Sequence, residues 1–328
     1  MGRLIAGTWH TDHELSDDDG DAFEREETSF RHWIGSDDRF DPDPDRYHLY
    51  VSYACPWAHR TLLTRALLGL EDVITVDVVD PHRVDQGWEF SPKKPGCTAD
   101  SVNGFEYLRE VYTAADPTYS GRVTVPVLWD RDTGTIVNNE SEEIIKQFAT
   151  VFRPYAAHDI DLYPTDRQDA IDDVIDDIYP AINDGVYRAG FAGSQAAYED
   201  AVTTLFDALD RYDQRLADRR YLLGESLTLA DVCLFTTLYR FDEVYHTHFK
   251  CNRNQITDYP NLWGYLRDLY QLPGVAATCH MDHVKAHYYR SHTDLNPRGI
   301  VPVGPSPDFD AAHDRDDLPG DPPAPLAD

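Results

Sequence analysis

The residues best suited to chemistry lie in Tyr53-Ala-Cys55-Pro56-Trp57-Ala58-His59-Arg60. An alternating run, Tyr47-His-Leu-Tyr-Val-Ser52, precedes them; a stretch with apolar residues at Ala58, Leu62, Leu63, Ala66 and Leu67 follows. Pro56 suits the first position of a helix, where its missing N–H costs nothing. Cys55 is then the N-cap. A sulfur there faces backbone N–H groups with no partner inside the helix, at the positive end of its dipole. Both favour the thiolate, so the thiol is expected to ionise below the free-cysteine value of roughly 8.5. Arg60, one turn on, adds positive charge. A thiolate is the nucleophile of disulfide and thioether chemistry. The fourth motif residue is Ala58 rather than a second cysteine. A mixed disulfide formed on Cys55 therefore has no internal resolving thiol at that position, and a small thiol must come from outside. A lone cysteine is more often a buried structural thiol; the Cys-Pro helix start makes the nucleophile the stronger reading here.

Other positions carry weaker chemistry. Val125-Pro126 sits in a strand-like run, Val123-Thr-Val-Pro-Val-Leu-Trp129. Proline cannot donate to a central ladder, so Pro126 suits either an edge strand or a cis peptide that presents Val125 backbone to a ligand. Asn139-Glu140-Ser141 opens a helix: its amides and the Ser141 hydroxyl suit a carboxylate, and Glu140 suits an ammonium group. Together they match an α-amino-acid head; the plainer alternative is an N-cap. Trp88, Tyr187 and Tyr288 read as aromatic groups on irregular segments, able to line a pocket but each more often ordinary packing. His280-x-x-His283-x-x-x-His287 has helix-face spacing that can hold a metal. No paired Cys or Glu motif supports it, and no metal site is assigned.

The elements that must position these residues fall into two blocks. From about Arg46 to Phe152 the order is strand, helix (56–68), strand (Val73–Val79), helix (Phe105–Ala115), a hairpin across Asp132-Thr-Gly134, and a helix from Ser141 to Phe152. From about Asp166 to His292 nearly everything reads as helix. Tyr198, Ala201, Val202, Leu205, Leu209, Tyr212 and Leu216 keep the 3-4 spacing of one buried stripe. Thr228-Leu-Ala-Asp231 is a capping box before a buried helix. The acid-rich residues 11–29 read as a solvated arm docked by Phe30, Trp33 and Ile34, and 37–46 as a loop. Beyond about Pro302 the chain is rich in Pro and Asp, and reads as disordered or draped over the surface.

Composition limits the function. The 328 residues carry 59 acids against 29 Lys and Arg, a net charge of −30. That opposes binding to nucleic acid and to anionic membranes. No apolar run approaches the length of a membrane span, and the N-terminus turns polar too soon for a signal peptide. A cytoplasmic location is expected. Only five of the basic residues are Lys. Dispersed acids with few lysines suit a chain working in concentrated salt, as in a halophile, where repulsion is screened within a few Å. The five cysteines, 55, 97, 233, 251 and 279, are odd in number and show neither a disulfide framework nor zinc spacing.

With Cys-Pro-Trp-Ala, the Val-Pro turn, the Glu-Ser helix start and the Thr-x-x-Asp box in this order, the chain resembles the glutathione transferases. It resembles more narrowly the Xi class, the glutathionyl-hydroquinone reductases. The likeness runs from Met1 to about Pro305. It includes Gly87-Trp88, Ser120-Gly-Arg-Val-Thr-Val-Pro-Val-Leu-Trp129, Ile136-Val-Asn-Asn-Glu-Ser141, Asn183-Asp-Gly-Val-Tyr-Arg-Ala-Gly-Phe191, Tyr245-His-Thr-His-Phe-Lys-Cys251 and His287-Tyr-Tyr-Arg-Ser-His292. It implies an α/β thioredoxin-like domain followed by an all-helical domain: an arm over 1–45, the thiol-binding domain over 46–155, the helical domain over 156–304 and a tail over 305–328. It further implies that Cys55 is catalytic, that Trp88, Arg122, the Val125 backbone, Glu140 and Ser141 hold the thiol, and that Tyr187 and Tyr288 serve the hydroquinone, with Pro126, Thr228 and Asp231 structural. The implied reaction has Cys55 attack the sulfur of a glutathionyl-hydroquinone. A second thiol, glutathione or γ-glutamylcysteine, resolves the mixed disulfide. No permanently bound cofactor is implied, and a homodimer is. The competing functions are a general glutathione transferase or thiol transferase, and a non-enzymatic ligand carrier.

Overall fold

The computed structural model describes residues 2–11, 23, 25–36 and 39–323. The chain divides into two compact units. The first comprises Met1–Asp19, Glu26–Ala157 and His280–Ile300; the second comprises Gly20–Arg25, His158–Cys279 and Val301–Asp328.

The first unit opens with a small antiparallel hairpin, β1 (Arg3–Ile5) and β2 (Thr8–His10), which the sequence did not announce. Leu4 and Gly121 exchange backbone hydrogen bonds of 3.0 and 2.9 Å, tying this hairpin to the loop before Arg122. The main sheet has four strands: β3 (Tyr47–Val51), β4 (Thr75–Val78), β5 (Val127–Asp130) and β6 (Thr135–Asn138), in the order β4-β3-β5-β6. β3 pairs parallel with β4 and antiparallel with β5. Every residue of β3 is buried. That fits a central strand covered on both faces, and explains why even His48 lies inside. Asp77 lies beside His48 at 3.2 Å. Burial alone would raise the Asp77 carboxyl, but hydrogen bonds from His48 and Ser101 hold it down to about 2.

Helices α1 (Pro56–Leu68) and α3 (Ser141–Thr150) pack on each other, and α2 (Leu108–Ala115) lies against β6. α1 stops because Gly69 takes φ 63° and its N–H bonds back to Ala66 O, a left-handed turn that glycine adopts freely. α2 starts three residues later than the apolar pattern predicts. β5 starts only at Val127, so Val123–Pro126 is a loop rather than strand. Phe30, Arg31 and His32 run beside the end of β6, and Ile34 donates its N–H to Gln147 Oε1 at 2.9 Å. Phe30 packs on Tyr112 and Tyr119, with ring centroids 5.9 and 5.6 Å apart. Most of the acid-rich arm lies outside the described residues.

The second unit is helical: α4 (Gln168–Ile178), α5 (Gly185–Gly190), α6 (Gln195–Arg215), α7 (Leu229–Arg240), α8 (His246–His248) and α9 (Pro260–Gln271). π-helical turns at Tyr179–Asn183 and Phe241–Tyr245 interrupt the pattern. α7 is buried on all sides, and its start is the capping box read from the sequence. Asp231 accepts hydrogen bonds from the Thr228 N–H (2.8 Å) and hydroxyl (3.0 Å), from the Leu222 N–H (2.8 Å) and from the Tyr265 hydroxyl (2.9 Å). Burial still pushes this carboxyl up from its ordinary value.

One finding differs from the sequence reading. The last helix, α10 (Met281–Ser291), groups with the first unit rather than with the other helices. Of the two states open to the tail in the sequence, disordered or draped over the surface, the structure gives the second, through residue 323, held by a few anchors. Phe309 stacks on Tyr270 with centroids 5.0 Å apart, and Arg315 is buried, donating to Leu216 O at 2.8 Å and to Arg219 O just past the end of α6. No helix among the described residues is long and apolar enough to cross a membrane.

Candidate active site

Cys55 is the N-cap of α1, with φ −77°, ψ 124° and Pro56 immediately inside the helix. Its carbonyl accepts the His59 N–H at 2.9 Å, so the first turn closes on it. The side chain makes no capping bond. Sγ points across to Val125 O at 3.5 Å. The sulfur is half-buried, whereas Cys97, Cys233 and Cys251 are buried; no disulfide forms among the five. Burial pushes the Cys97 thiol up to about 11 and that of Cys279 up to about 12. Cys251 is raised further for the same reason.

The Val125–Pro126 peptide is cis. Of the two readings of Pro126 open in the sequence, the structure gives this one. Because β5 begins after Pro126, no ladder position loses a donor. Two tyrosines fix this loop. Tyr119 donates its hydroxyl to Arg122 O at 2.9 Å. Tyr112, on α2, donates to Thr124 O at 2.9 Å and accepts from Asn139 Nδ2 at 3.1 Å. One buried hydroxyl thus links the residue before Val125 to the residue before Glu140. Burial raises the Tyr112 pKa, which keeps it protonated and donating. Tyr112 was missed as a site-building residue, and so was its pairing with Asn139 of the Asn139-Glu140-Ser141 motif; nothing in their spacing announces a pair that meets only after folding.

Glu140 caps α3. One carboxylate oxygen accepts from Glu142 N and from the Ser141 hydroxyl, both at 3.4 Å, and the other accepts from Thr28 Oγ1 at 3.3 Å. Arg60 is buried, lies over the Trp57 ring at 4.5 Å and donates to Ser141 Oγ at 3.4 Å. The Arg60 charge, expected near Cys55, reaches the start of α3. All these bonds are long, at the weak edge of hydrogen bonding.

Trp88 sits on the loop 81–88 and is 4% exposed. Its indole N–H is buried without a hydrogen-bond partner. A buried donor left unmade costs free energy, and a ligand acceptor would recover it. Trp9 donates to Asp85 O at 2.9 Å and Arg109 to Gln86 O at 2.5 Å, which steadies the loop.

Two aromatic assignments need correcting. Tyr288 is not on a loop: it lies on α10 and is buried. Tyr187 is likewise helical, on α5. It belongs to the second unit, half-buried among Phe191, Tyr245 and Phe249, with the Arg25 guanidinium 4.9 Å from its ring centre. The first unit holds Cys55, Trp88, Arg122, Val125, Glu140, Ser141 and Tyr288. The histidine ladder has a packing use. His283 Nε2 bonds Pro95 O at 2.9 Å, His287 Nδ1 bonds Pro81 O at 2.8 Å, and His280 stacks on Tyr53 with centroids 3.7 Å apart.

Comparison with known proteins adds independent findings. Residues 54–151 match the family described as glutathione S-transferase, N-terminal domain, and residues 195–268 match its C-terminal domain. The chain is 50% identical to glutathionyl-hydroquinone reductase YqjG of Escherichia coli, over 96% of this chain and 99% of that protein. It is 48% identical to glutathionyl-hydroquinone reductase PcpF of Sphingobium chlorophenolicum, over 93% and 97%. Among solved structures, a Xi-class transferase from Natrialba magadii is 56% identical with TM-score 0.93, covering 98% of each chain. The glutathione-bound structure of YqjG is 49% identical with TM-score 0.88, covering 96% of this chain and 99% of that one.

Proposed function

Because the chain belongs to the glutathione transferase family, among the Xi-class glutathionyl-hydroquinone reductases, we propose that it reduces glutathionyl-hydroquinones through Cys55. The observation that carries this reading is the half-buried Cys55 sulfur at the head of α1, 3.5 Å from the carbonyl at the cis peptide. The Cys55 thiolate attacks the glutathionyl sulfur. A Cys55–glutathione disulfide forms, and the carbon–sulfur bond breaks toward the aryl carbon. That carbon takes up a proton, and free hydroquinone leaves. A second thiolate then attacks the mixed disulfide, releasing a small-molecule disulfide and restoring Cys55. Each turnover reduces the aryl carbon by two electrons, and two sulfurs, the thioether's own and that of one incoming thiol, are oxidised to a disulfide.

Trp88, with its unpartnered indole N–H, Val125 backbone, Arg122, and Glu140 with Ser141 hold the thiol in this proposal. The feeble bonds at Glu140 and Ser141 support it, since a ligand ammonium or carboxylate replaces them at little cost. Tyr288 hydrogen-bonds a phenolic oxygen and favours the keto tautomer, which eases protonation at carbon. Tyr187 enters through its sequence motif alone. The co-substrate is glutathione or γ-glutamylcysteine, and comparing kcat/KM for the two identifies it. The working form is a homodimer, in a cytoplasm that the acid-rich, lysine-poor composition fits to high salt.

The test is an assay with a glutathionyl-hydroquinone and excess thiol, following disulfide production. Cys55→Ala is expected to lower the rate by about a thousandfold or more, as removal of a covalent nucleophile does. Wild-type turnover in that variant would refute the reading.

A further inference from the structure

We propose that His287 is a positioning residue that sets the Trp88 and Tyr288 subsites in register with each other; the inference rests on the reading of those two residues given above. His287 is buried on α10. One face of its ring stacks on the Trp88 indole, with centroids 4.9 Å apart and planes 23° apart. It meets the Tyr288 ring edge-on at 5.3 Å and 79°. Its Nδ1 bonds Pro81 O at 2.8 Å. A carbonyl only accepts, so Nδ1 carries the proton, and the ring plane is fixed by that bond.

The neighbours reinforce the same seam. Ser291, one turn further along α10, accepts the Arg83 N–H at 3.0 Å. His292 meets His287 at 5.4 Å and 74°, and Tyr288 at 5.3 Å and 89°, both edge to face. His283 bonds Pro95 O at 2.9 Å, and a Cβ added at Gly96 would come within 2.6 Å of its ring. The loop that carries Trp88 is thus joined to the helix that carries Tyr288 at several points, and His287 touches both rings. Displacing its ring by a fraction of an ångström moves the indole N–H and the phenol together. The two subsites are therefore coupled.

A coupled shift and a general loss of stability leave different kinetic signatures. Partial unfolding removes active molecules, which lowers kcat and leaves KM alone. A displaced clamp weakens binding, which raises KM. In His287→Phe, which keeps a stacking ring but not the Pro81 bond, and in His287→Gln, which keeps a donor but not the ring, KM for the glutathionyl-hydroquinone and KM for glutathione should both rise. About tenfold is expected for a misplacement of this kind. The alkylation rate of Cys55, measured without substrate, should stay within about twofold of wild type, since the thiol is set by the start of α1 while the His287 ring on α10 is set by Trp88, Tyr288 and Pro81 O. Calorimetric binding of glutathione to Cys55→Ser, with and without His287→Phe, reads the Trp88 subsite with no turnover. If wild type fails to turn over the substrate, the reductase reading is refuted, while the calorimetric arm still decides the clamp. Unchanged KM values, a rise in only one of them, or glutathione affinity unaffected by His287→Phe would overturn the coupling.

Discussion

At the scale of single residues, the five cysteines are sorted by their surroundings. Cys55 is half-buried at a helix N-terminus, and Cys97, Cys251 and Cys279 are pushed up by burial. Cys233 is fully buried. A thiol raised to about 11 or 12 holds almost no thiolate at neutral pH, so it reacts slowly even when reached. Iodoacetamide near pH 7 should therefore modify one site, Cys55, which peptide mass spectrometry would identify. The rate should climb with pH and level off below the ordinary cysteine range. Preferential labelling of any other cysteine, or a rate still climbing steeply through pH 9, would contradict the helix-terminus argument. This part of the site was legible in the sequence, because proline after cysteine fixes a helix start within two residues. The Thr28 contact of Glu140 and the His287 stack on Trp88 were not, since each joins residues more than 100 positions apart.

Among the elements, the sheet and its helices followed the order read from hydrophobic periodicity, and the departures have physical causes. β5 is shorter than its apolar run because Pro126 has no N–H to give to a ladder, and the strand begins after it. The hairpin β1–β2 has only three residues per strand, too few for an alternating pattern to register. Tyr187 was read as irregular because its helix has only six residues and follows a π-helical turn. α10 was grouped with the helical block because periodicity says what an element is and nothing about what it packs on. The junction that matters most here is Tyr112, which holds the cis-peptide loop to the start of α3. Tyr112→Phe leaves the half-buried Thr124 carbonyl and the buried Asn139 amide short of a partner. It should cost about 1–3 kcal/mol of stability in chemical denaturation. KM for the thiol should rise as well, because both ends of the proposed thiol clamp lose their common anchor. A variant as stable and as tight-binding as wild type would show that the hydroxyl is dispensable.

On the scale of the whole molecule, charge dominates. A net charge of −30 repels itself in dilute buffer. Raising NaCl from 0.1 M to 1 M shortens the screening length from about 10 Å to about 3 Å. The melting temperature should rise by about 5 °C or more over that range, with ΔΔG to Tm conversion as for domains of this size. An equal osmolality of sucrose serves as the control for excluded-solute effects; no salt-specific gain would argue that the acids are already compensated locally. The acidic composition was plain in the sequence, but the tail's packing was not, since its anchors are isolated residues in a Pro- and Asp-rich stretch. Arg315 puts its guanidinium onto the carbonyl of Leu216, the C-cap of α6, and onto those of Arg219 and Arg220 in the segment that follows the helix. A recombinant version trimmed ahead of that arginine to remove an apparently dispensable extension would strip a helix of its stopper, so the shorter product would be the poorer choice for crystallisation or storage.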